Sequence, residues 1–282
     1  MKYLINKPNI SKLEKKYVLE ALNSTWLSSN GSNTKIFEKK FSKFTKNKNS
    51  LAVQSGTAAL HLAHKSLGVK RGDNVIVPNY TCVSNLSAVS QCGAKAILVD
   101  VEEDTFGLDY ILVKKAIKKY KPKVLQLVHV YGFPARDTLK IIKLCKRKKI
   151  QIIEDTSEAL GAKINNKIVG TFGDINVTSI RSEKMIGVGE GAVISSSNYK
   201  IFENISLLAS RAAPFRRSKD PYWKKYYVVG EGYNYLMPHL LGSIARGQIE
   251  RFETELLKKK LEVGKNYRNI LSKNNLISGQ KI

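Results

Sequence analysis

The strongest constraint on this chain is a regular alternation of short apolar runs and helical patterns between residues 51 and 155. The predicted strands cover 51–53, 74–77, 96–99, 124–128 and 151–154, and the predicted helices begin at Thr57, Ser84, Asp109 and Asp137. Short, almost continuously apolar strands that alternate with helices are typical of a mainly parallel sheet covered by helices on both faces. The sequence therefore predicts an α/β fold, a three-layer sandwich around a mainly parallel central sheet.

Polar residues follow several of these strands at once. Ser55, residues 78–82, residues 129–132 and Asp155 each come directly after a predicted strand. Ligands of such sheets bind beyond the carboxyl ends of the strands. We therefore expect these residues to meet at one edge of the sheet and to form the functional site.

A run of small residues opens the first helix of this alternation. Backbone amides at the start of a helix bind phosphate readily, and the helix dipole favours the negative charge. The sequence Ser-Gly-Thr-Ala from Ser55 presents the amides of Gly56, Thr57 and Ala58, together with the Thr57 hydroxyl. It predicts a phosphate site.

A lysine stands between a predicted strand at 175–180 and a second one at 192–195. The segment 174–194 reads DINVTSIRSEKMIGVGEGAVI, so Lys184 lies in a glycine-rich connection. A lysine that is partly desolvated can lose its proton and attack a carbonyl carbon. The alternative is a solvated loop lysine, the usual state among the 48 lysines and arginines of this chain. A phosphate cradle, a carboxylate at Asp155 and a lysine are the three contacts that pyridoxal phosphate requires, and together they favour the first reading.

These segments, in this order, resemble the DegT/DnrJ/EryC1/StrS sugar aminotransferases, from about Lys7 to the end of the chain. That family consists of fold-type I pyridoxal phosphate enzymes that act on nucleotide-linked keto sugars. The resemblance implies that Lys184 forms the Schiff base with the cofactor and that Asp155 partners its pyridine nitrogen. It also implies that Gly56, Thr57 and Ser179 bind the phosphate.

The resemblance extends to two further motif positions. Glu158 stands where the family places Gln, His or Glu beside the cofactor ring. Asn234, in GEGYNYL, matches the family's GxNYR motif, whose Asn reaches the phosphate of the neighbouring subunit. A homodimer is therefore expected.

Two positions depart from the family pattern. Cys82 replaces the aromatic residue that stacks on the cofactor in the motif P-x-x-T-[FWY], and it is still expected to contact the cofactor. Leu236 replaces the Arg that normally follows the NY pair. These departures leave the stacking contact and one substrate or subunit contact open.

The function implied by the resemblance is transfer of an amino group from glutamate to a keto group of a nucleotide-linked deoxysugar, for surface polysaccharide biosynthesis. One alternative is a non-catalytic or truncated homologue that only binds a ligand, which the departures at Cys82 and Leu236 motivate. Another is a sugar dehydratase of the same family, in which histidine replaces the lysine. The presence of Lys184 argues against the dehydratase.

The formal net charge of +25 raises the hypothesis of a nucleic-acid-binding protein. The basic residues are spread in pairs along helical patterns, and no zinc finger, RNP motif or basic leucine zipper is present. A positive surface equally suits an acidic substrate such as a nucleotide diphosphate sugar. We therefore expect no nucleic-acid partner.

Composition sets the remaining expectations. A chain of 282 residues with 43% hydrophobic content predicts a large domain over 1–235, with an N-terminal helix capped by Ser11 and Glu14. Residues 236–282 are predicted to be a long helical segment that leads into a small C-terminal domain, most of which is missing. The N-terminus lacks a signal-peptide pattern, no apolar run is long enough to span a membrane, and the three cysteines show no paired spacing. The sequence thus predicts a cytoplasmic protein without a metal site, since His61 and His64 lack further ligands.

A basic and aromatic segment at 211–227 has two readings. Arg216, Arg217, Lys219, Tyr222 and Trp223 either grip a diphosphate and stack on a ring, or form an exposed basic loop.

Overall fold

A computed structural model describes residues 7–214 and 221–271. Its centre is a sheet whose strands are β1 Asn49–Val53, β2 Asn74–Pro78, β3 Lys95–Val99, β4 Val124–Val128, β5 Gln151–Asp155, β8 Ile175–Ser179 and β9 Ala192–Ser196. A separate short hairpin is formed by β6 Lys163–Ile164 and β7 Lys167–Ile168. Each predicted strand is present, with its ends moved by two residues at most.

The strand order is β1-β9-β8-β5-β4-β2-β3. The pairs β2–β3, β2–β4, β4–β5 and β5–β8 are parallel, whereas β9 runs antiparallel to both β8 and β1. The prediction of a mainly parallel sheet is confirmed. The antiparallel turn between β8 and β9 carries Lys184, as the glycine-rich connection indicated.

Helices cover both faces of this sheet. They are α1 Lys12–Asn23, α2 Ser32–Thr45, α3 Gly56–Ser66, α4 Val83–Gln91, α5 Tyr110–Tyr120, α6 Thr138–Lys148, α7 Tyr199–Ala209, α8 His239–Glu250 and α9 Lys258–Leu271. Short 3₁₀ turns span Val130–Gly132 and Tyr222–Tyr226, and a π-helical stretch, Phe252–Leu257, joins α8 to α9. No helix among the described residues is both long and apolar enough to cross a membrane.

The strands separate two apolar layers because successive side chains point to opposite faces. Val75 and Val77 of β2 pack with α3, α4 and α7 on one face, and Ile76 packs with α5 and α6 on the other. Further along the second face, α2 and α8 pack over Ala52 and Val193. The three-layer prediction is confirmed. Helix α8, which follows the predicted domain boundary at residue 235, packs against α1 and α2.

Polar side chains start several helices where the sequence placed them. Ser11 and Glu14 form the predicted capping box at α1. Ser55 accepts a hydrogen bond from Ala58 N–H at the start of α3, and Asp109 caps α5 in the same way. Asp137 precedes α6 but makes no side-chain cap bond; its carboxylate is paired with Lys140 and Arg136 instead.

The apolar residues of the predicted helical segment after residue 236 are only partly buried. Ile249 and Phe252 lie in the core beside α2, whereas Leu261 of α9 is 63% exposed. The described part of α9 has no buried residue. The helical pattern is therefore correct, but its apolar face stays open beyond the π-helical stretch.

A buried polar contact lies between the sheet and the layer of α3 and α4. His64 on α3 bonds Leu60 O through Nδ1 at 2.7 Å, and Gln126 Nε2 on β4 lies 3.0 Å from His64 Nε2. The pKa of His64 is lowered to about 4, mainly by burial and in smaller part by the nearby His61, although the hydrogen bond to Leu60 O opposes the change. His64 is therefore neutral, with the proton on Nδ1, and its Nε2 accepts from Gln126.

This buried histidine predicts a pH-dependent stability. Its ordinary pKa is 6.5, so between pH 6.5 and about 4 the unfolded chain takes up a proton that the folded chain refuses. The free energy of unfolding should fall through this window as pH falls, by up to about 3 kcal/mol. Denaturant unfolding of wild type and of His64→Gln, at several pH values, measures the effect. Equal pH dependence of the two proteins would contradict the assignment.

Candidate functional site

A cavity of about 420 Å³ lies at the edge of the sheet where β2, β4, β5 and β8 end. Its walls come from the segments that follow the strands, and include Ser55, Gly56, Thr57, Tyr80, Cys82, Asn85, Tyr131, Asp155, Ser157, Glu158, Ser179, Arg181 and Lys184. Because the carboxyl ends of parallel strands share one edge, residues over 100 positions apart in sequence meet here. Each of the four segments predicted to converge contributes to this lining: Ser55, residues 80–82 of the segment 78–82, residues 130–131 of the segment 129–132, and Asp155.

Lys184 projects into this cavity from the turn between β8 and β9. Its Nζ donates to Glu158 Oε1 at 3.0 Å, and the lysine side chain is 19% exposed. The turn closes at Gly189, whose φ of +101° belongs to the region that glycine favours. Lys184 is thus a mostly buried amine on a short connection, held by one carboxylate, and not a solvated loop lysine.

Asp155 ends β5, lines the same cavity and is 3% exposed. Its Oδ1 accepts from Ser157 N–H at 3.0 Å, and its Oδ2 accepts from Asn85 Nδ2 at 3.3 Å. Both donors are neutral, and no basic side chain of the described residues forms an ion pair with Asp155. A buried carboxylate normally requires a cationic partner. The protonated nitrogen of a pyridine ring in the cavity fits this requirement.

The start of α3 forms a third wall. Gly56 faces Ser179, and a Cβ atom added to Gly56 would lie 3.5 Å from Ser179 Oγ. The Thr57 hydroxyl donates to Ser84 Oγ at 3.1 Å, beside the same space. A helix start without a side chain at Gly56 and with three hydroxyl groups nearby suits a phosphate. Ala58 differs, since it is buried and its amide already donates to Ser55 Oγ at 3.2 Å.

Ser157 connects two of these walls. Its amide donates to Asp155, and its hydroxyl accepts from Ser179 N–H at 2.9 Å. The ends of β5 and β8 are therefore tied together directly behind the cavity. Sequence reasoning missed Ser157, although its position two residues after Asp155 at a strand end was the available signal.

The position that usually carries a stacking aromatic residue holds Cys82 here. Cys82 precedes α4, lines the cavity and contacts Ser84 Oγ through Sγ at 3.4 Å. Tyr80 and Tyr131 line the same cavity, with their hydroxyl groups 3.1 Å apart. The hydrogen bond with Tyr80 raises the pKa of Tyr131. Aromatic surface is thus present at the cavity mouth, but from other positions.

Tyr131 also has an unusual backbone. Its φ is +54°, a left-handed conformation that residues other than glycine rarely adopt. Its amide donates to Glu158 Oε2 at 3.0 Å, while Glu158 Oε1 accepts from Lys184. Glu158 therefore joins the lysine to the segment after β4, as well as lying at the predicted position beside the cavity.

A buried hydrogen bond between His129 and Glu154 supports the ends of β4 and β5 from behind. His129 Nε2 lies 3.0 Å from Glu154 Oε1, and both side chains are fully buried. Burial alone would raise the pKa of Glu154, but hydrogen bonds from His129 and from the amides of Gly170 and Gly173 lower it. His129 thus packs beneath the segment that follows β4 instead of lining the cavity.

Two predicted residues lie away from the cavity. Asn234 is exposed, pairs with Ser210 through an isolated bridge and is not among the described residues that line its own chain's cavity. Leu236 is buried in the core shared by α3, α4 and α7, so its side chain serves packing.

The basic and aromatic segment at 211–227 is only partly described. Outside the described residues lie Arg216, Arg217, Lys219 and the side chain of Tyr222, whereas Trp223 is exposed.

A second cavity, of about 440 Å³, shares Lys184, Glu158 and Tyr131 with the first. Its outer wall carries three lysines, Lys7, Lys259 and Lys260. Lys184 therefore lies between a cavity with a phosphate-like cradle and a cavity with a basic rim.

The sequence profile of the DegT/DnrJ/EryC1/StrS aminotransferase family matches residues 8–281. The GDP-perosamine synthase of Vibrio cholerae is 34% identical over 268 residues, which cover 95% of this chain and 70% of that protein. The GDP-perosamine synthase of Escherichia coli O157:H7 is 34% identical over 269 residues, with 95% and 71% coverage.

Solved structures share the fold. The pyridoxal phosphate form of a sugar aminotransferase from Streptococcus pneumoniae, Spr1654, superimposes with a TM-score of 0.86 at 24% identity, covering 96% of this chain and 72% of that one. A GDP-4-keto-6-deoxymannose-3-dehydratase with a trapped cofactor–glutamate adduct gives a TM-score of 0.82 at 25% identity, covering 89% and 68%.

A substitution at Gly56 tests whether the start of α3 binds the phosphate rather than another part of the cofactor. Gly56→Val would fill the space in front of Ser179, so affinity for pyridoxal phosphate should fall roughly tenfold or more. Affinity for pyridoxal, which lacks the phosphate, should change little. Fluorescence titration of the apoprotein with both compounds measures this. An equal loss for both compounds would contradict a phosphate site at Gly56.

Proposed function

Because this chain belongs to the DegT/DnrJ/EryC1/StrS aminotransferase family, whose cofactor is pyridoxal phosphate, we propose that it transfers an amino group from glutamate to a keto group of a nucleotide-linked deoxysugar. The observation that carries the proposal is the position of Lys184 Nζ. It lies in the same cavity that the buried carboxylate of Asp155 and the cradle at Gly56 and Thr57 line.

The described residues fit this cofactor on two counts. Asp155 is a buried carboxylate without a cation, which a protonated pyridine nitrogen would supply. Gly56, Thr57 and Ser179 surround a space at a helix start that a phosphate would fill. Cys82 and Glu158 line the same cavity and would contact the ring.

Bound pyridoxal phosphate supplies a carbonyl carbon that combines with amines and a ring that accepts electrons. Lys184 Nζ would hold the cofactor at that carbon, and as a free amine it would carry the proton at the reacting carbon. Glu158 Oε1 orients the lysine through its 3.0 Å hydrogen bond. Asp155 would hold a positive charge on the ring nitrogen.

The substrate half of the proposal rests on the second cavity and on charge. The wall with Lys7, Lys259 and Lys260 suits a diphosphate, as does the net charge of +25. Lys259 is paired with Glu255 at 2.9 Å, which holds it beside the cavity. Relatives named for polysaccharide biosynthesis, such as the spore coat protein SpsC of Bacillus subtilis, support a role in making surface polysaccharides.

A dehydratase is the second candidate, because one of the similar solved structures is a GDP-4-keto-6-deoxymannose-3-dehydratase. The lysine at position 184 favours amino transfer, since a primary amine can bond the cofactor whereas histidine acts only on protons. A ligand-binding homologue without activity is the third. Mixing the protein with glutamate alone separates this third candidate from an active enzyme, because a protein that only binds its ligand releases no 2-oxoglutarate.

The arrangement of the whole chain is part of the same proposal. We assign residues 1–235 to a cofactor-binding domain and residues 236–282 to the start of a C-terminal domain. A cytoplasmic location agrees with three cysteines that are all free thiols.

Substitution of Lys184 tests the proposed chemistry. Lys184→Ala should lower amino transfer roughly a thousandfold or more and remove the visible absorbance of the lysine-bound cofactor. Lys184→Arg should do no better, because a guanidinium group stays protonated. Release of 2-oxoglutarate from glutamate is measured with a panel of nucleotide-linked 3-keto and 4-keto sugars as acceptors. Lys16→Ala, an exposed lysine on α1, serves as the matched control. Full activity of Lys184→Ala would refute the proposal.

Asn234 leads to a proposal about assembly. Its exposed side chain lies away from its own cavity, which agrees with a role at the phosphate of a neighbouring copy. Cofactor binding and dimer formation would then be linked, because a ligand that binds only the dimer stabilises it.

Asn234→Ala is therefore expected to weaken cofactor affinity and dimerisation together, each roughly tenfold. Sedimentation at several protein concentrations, with and without pyridoxal phosphate, measures both. Asn204→Ala, an exposed asparagine on α7, provides the control. A monomer that binds the cofactor at full affinity would contradict the shared site.

A further inference from the structure

A chain of buried polar side chains runs from Asp155 into the layer between the sheet and α3. Asn85 on α4 is 1% exposed, and its Nδ2 donates to Asp155 Oδ2 at 3.3 Å and to Thr81 Oγ1 at 3.1 Å. Gln126 on β4 is fully buried, and its Nε2 donates to Asn85 O at 3.1 Å. The same Nε2 lies 3.0 Å from His64 Nε2.

The donor and the acceptor of each hydrogen bond in this series of side chains follow from the contacts of His64 and Asp155. His64 bonds Leu60 O through Nδ1, so Nδ1 carries the proton and Nε2 accepts from Gln126. Rotating the Asn85 amide by half a turn would bring its oxygen against the carboxylate of Asp155, an acceptor against an acceptor. Asn85 therefore presents its NH₂ group to Asp155.

The amide oxygens of Asn85 and Gln126 accept no hydrogen bond from the residues that the structure describes. Within the described part of the protein, no donor reaches Asn85 Oδ1 or Gln126 Oε1, although both atoms are buried. Buried polar atoms without partners reduce stability, and apolar side chains of similar size would remove that loss. The benefit of these two amides therefore comes from the hydrogen bonds that their NH₂ groups donate.

We propose that Asn85 is a positioning residue that fixes the carboxylate of Asp155 for the pyridine nitrogen of the cofactor. Asp155 receives one donor on each oxygen, from Ser157 N–H and from Asn85 Nδ2, so the carboxylate cannot rotate freely. Gln126 fixes the backbone of α4 at Asn85, and neutral His64 fixes Gln126. A hydrogen bond to a carboxylate also favours its charged form, which in turn favours a protonated ring nitrogen.

The inference rests on the proposed function only for the identity of the cofactor. It adds a residue on a different helix to the machinery that controls the ring. The residue is also separable from folding, because a leucine at position 85 would keep the volume and remove the unpaired oxygen.

The test measures the cofactor directly, without a sugar substrate. Pyridoxal phosphate labelled with ¹⁵N at the ring is bound to wild type, to Asn85→Leu and to Asn47→Leu, and the ¹⁵N chemical shift, the dissociation constant and the thermal midpoint are recorded. Asn47 is the matched control, because it is buried and its Nδ2 also donates to a threonine hydroxyl and to a second oxygen.

We expect Asn85→Leu to bind the cofactor roughly tenfold or more weakly, with the ¹⁵N signal moved toward that of unprotonated pyridine. Asn47→Leu should alter the thermal midpoint and leave the ¹⁵N signal in place. An unchanged ¹⁵N shift and affinity in Asn85→Leu would overturn the proposal. If that variant does not fold, Asn85→Ser, which is too short to reach Asp155, is measured with the same expectation.

The two levels of failure are distinguishable. Wild-type protein that binds no pyridoxal phosphate would overturn the proposed function. Wild-type protein that binds it with a protonated ring nitrogen, and an Asn85→Leu variant that behaves identically, would overturn only the role of Asn85.

Discussion

The parallel pairing of β5 with β4 and β8 is the constraint on which the site depends. It brings Asp155, at the end of β5, to the edge where β8 turns toward Lys184. A carboxylate and an amine 29 residues apart in sequence thereby line one cavity. Neither residue type is distinctive in itself, since the chain carries 48 basic residues and 23 acidic ones. Their position at the sheet edge distinguishes these two from the rest.

The supporting contacts stiffen that edge from several sides. Glu154, the neighbour of Asp155, points to the other face and binds His129 and three backbone amides of the segment before β8. Ser157 ties β5 to β8, and Asn85 reaches Asp155 from α4. Each of these bonds is buried or partly buried, so they restrain the walls of the cavity relative to one another. A rigid frame of this kind allows a cofactor to be held at both ends while Lys184 moves between them.

Much of this arrangement follows from sequence patterns. Apolar runs located the strands, because buried parallel strands need continuous apolar residues, and the residues that follow them identified the edge. The glycine-rich turn marked Lys184, and the resemblance to a known family assigned its partner Asp155. Ser157 and Asn85 were not predicted, because their roles depend on contacts between elements that no local pattern encodes. The amide of Ala58 was expected to face a phosphate, but its bond to Ser55 is a cap geometry visible only in three dimensions.

The central claim is that Lys184, and no other lysine, bonds the cofactor. Borohydride reduction of the protein saturated with pyridoxal phosphate fixes that bond permanently, and peptide mass spectrometry then locates the modified residue. The account predicts a single modified site on the peptide that contains Lys184, at close to one cofactor per chain. Stoichiometric modification of a different lysine, with Lys184 unmodified, would contradict it.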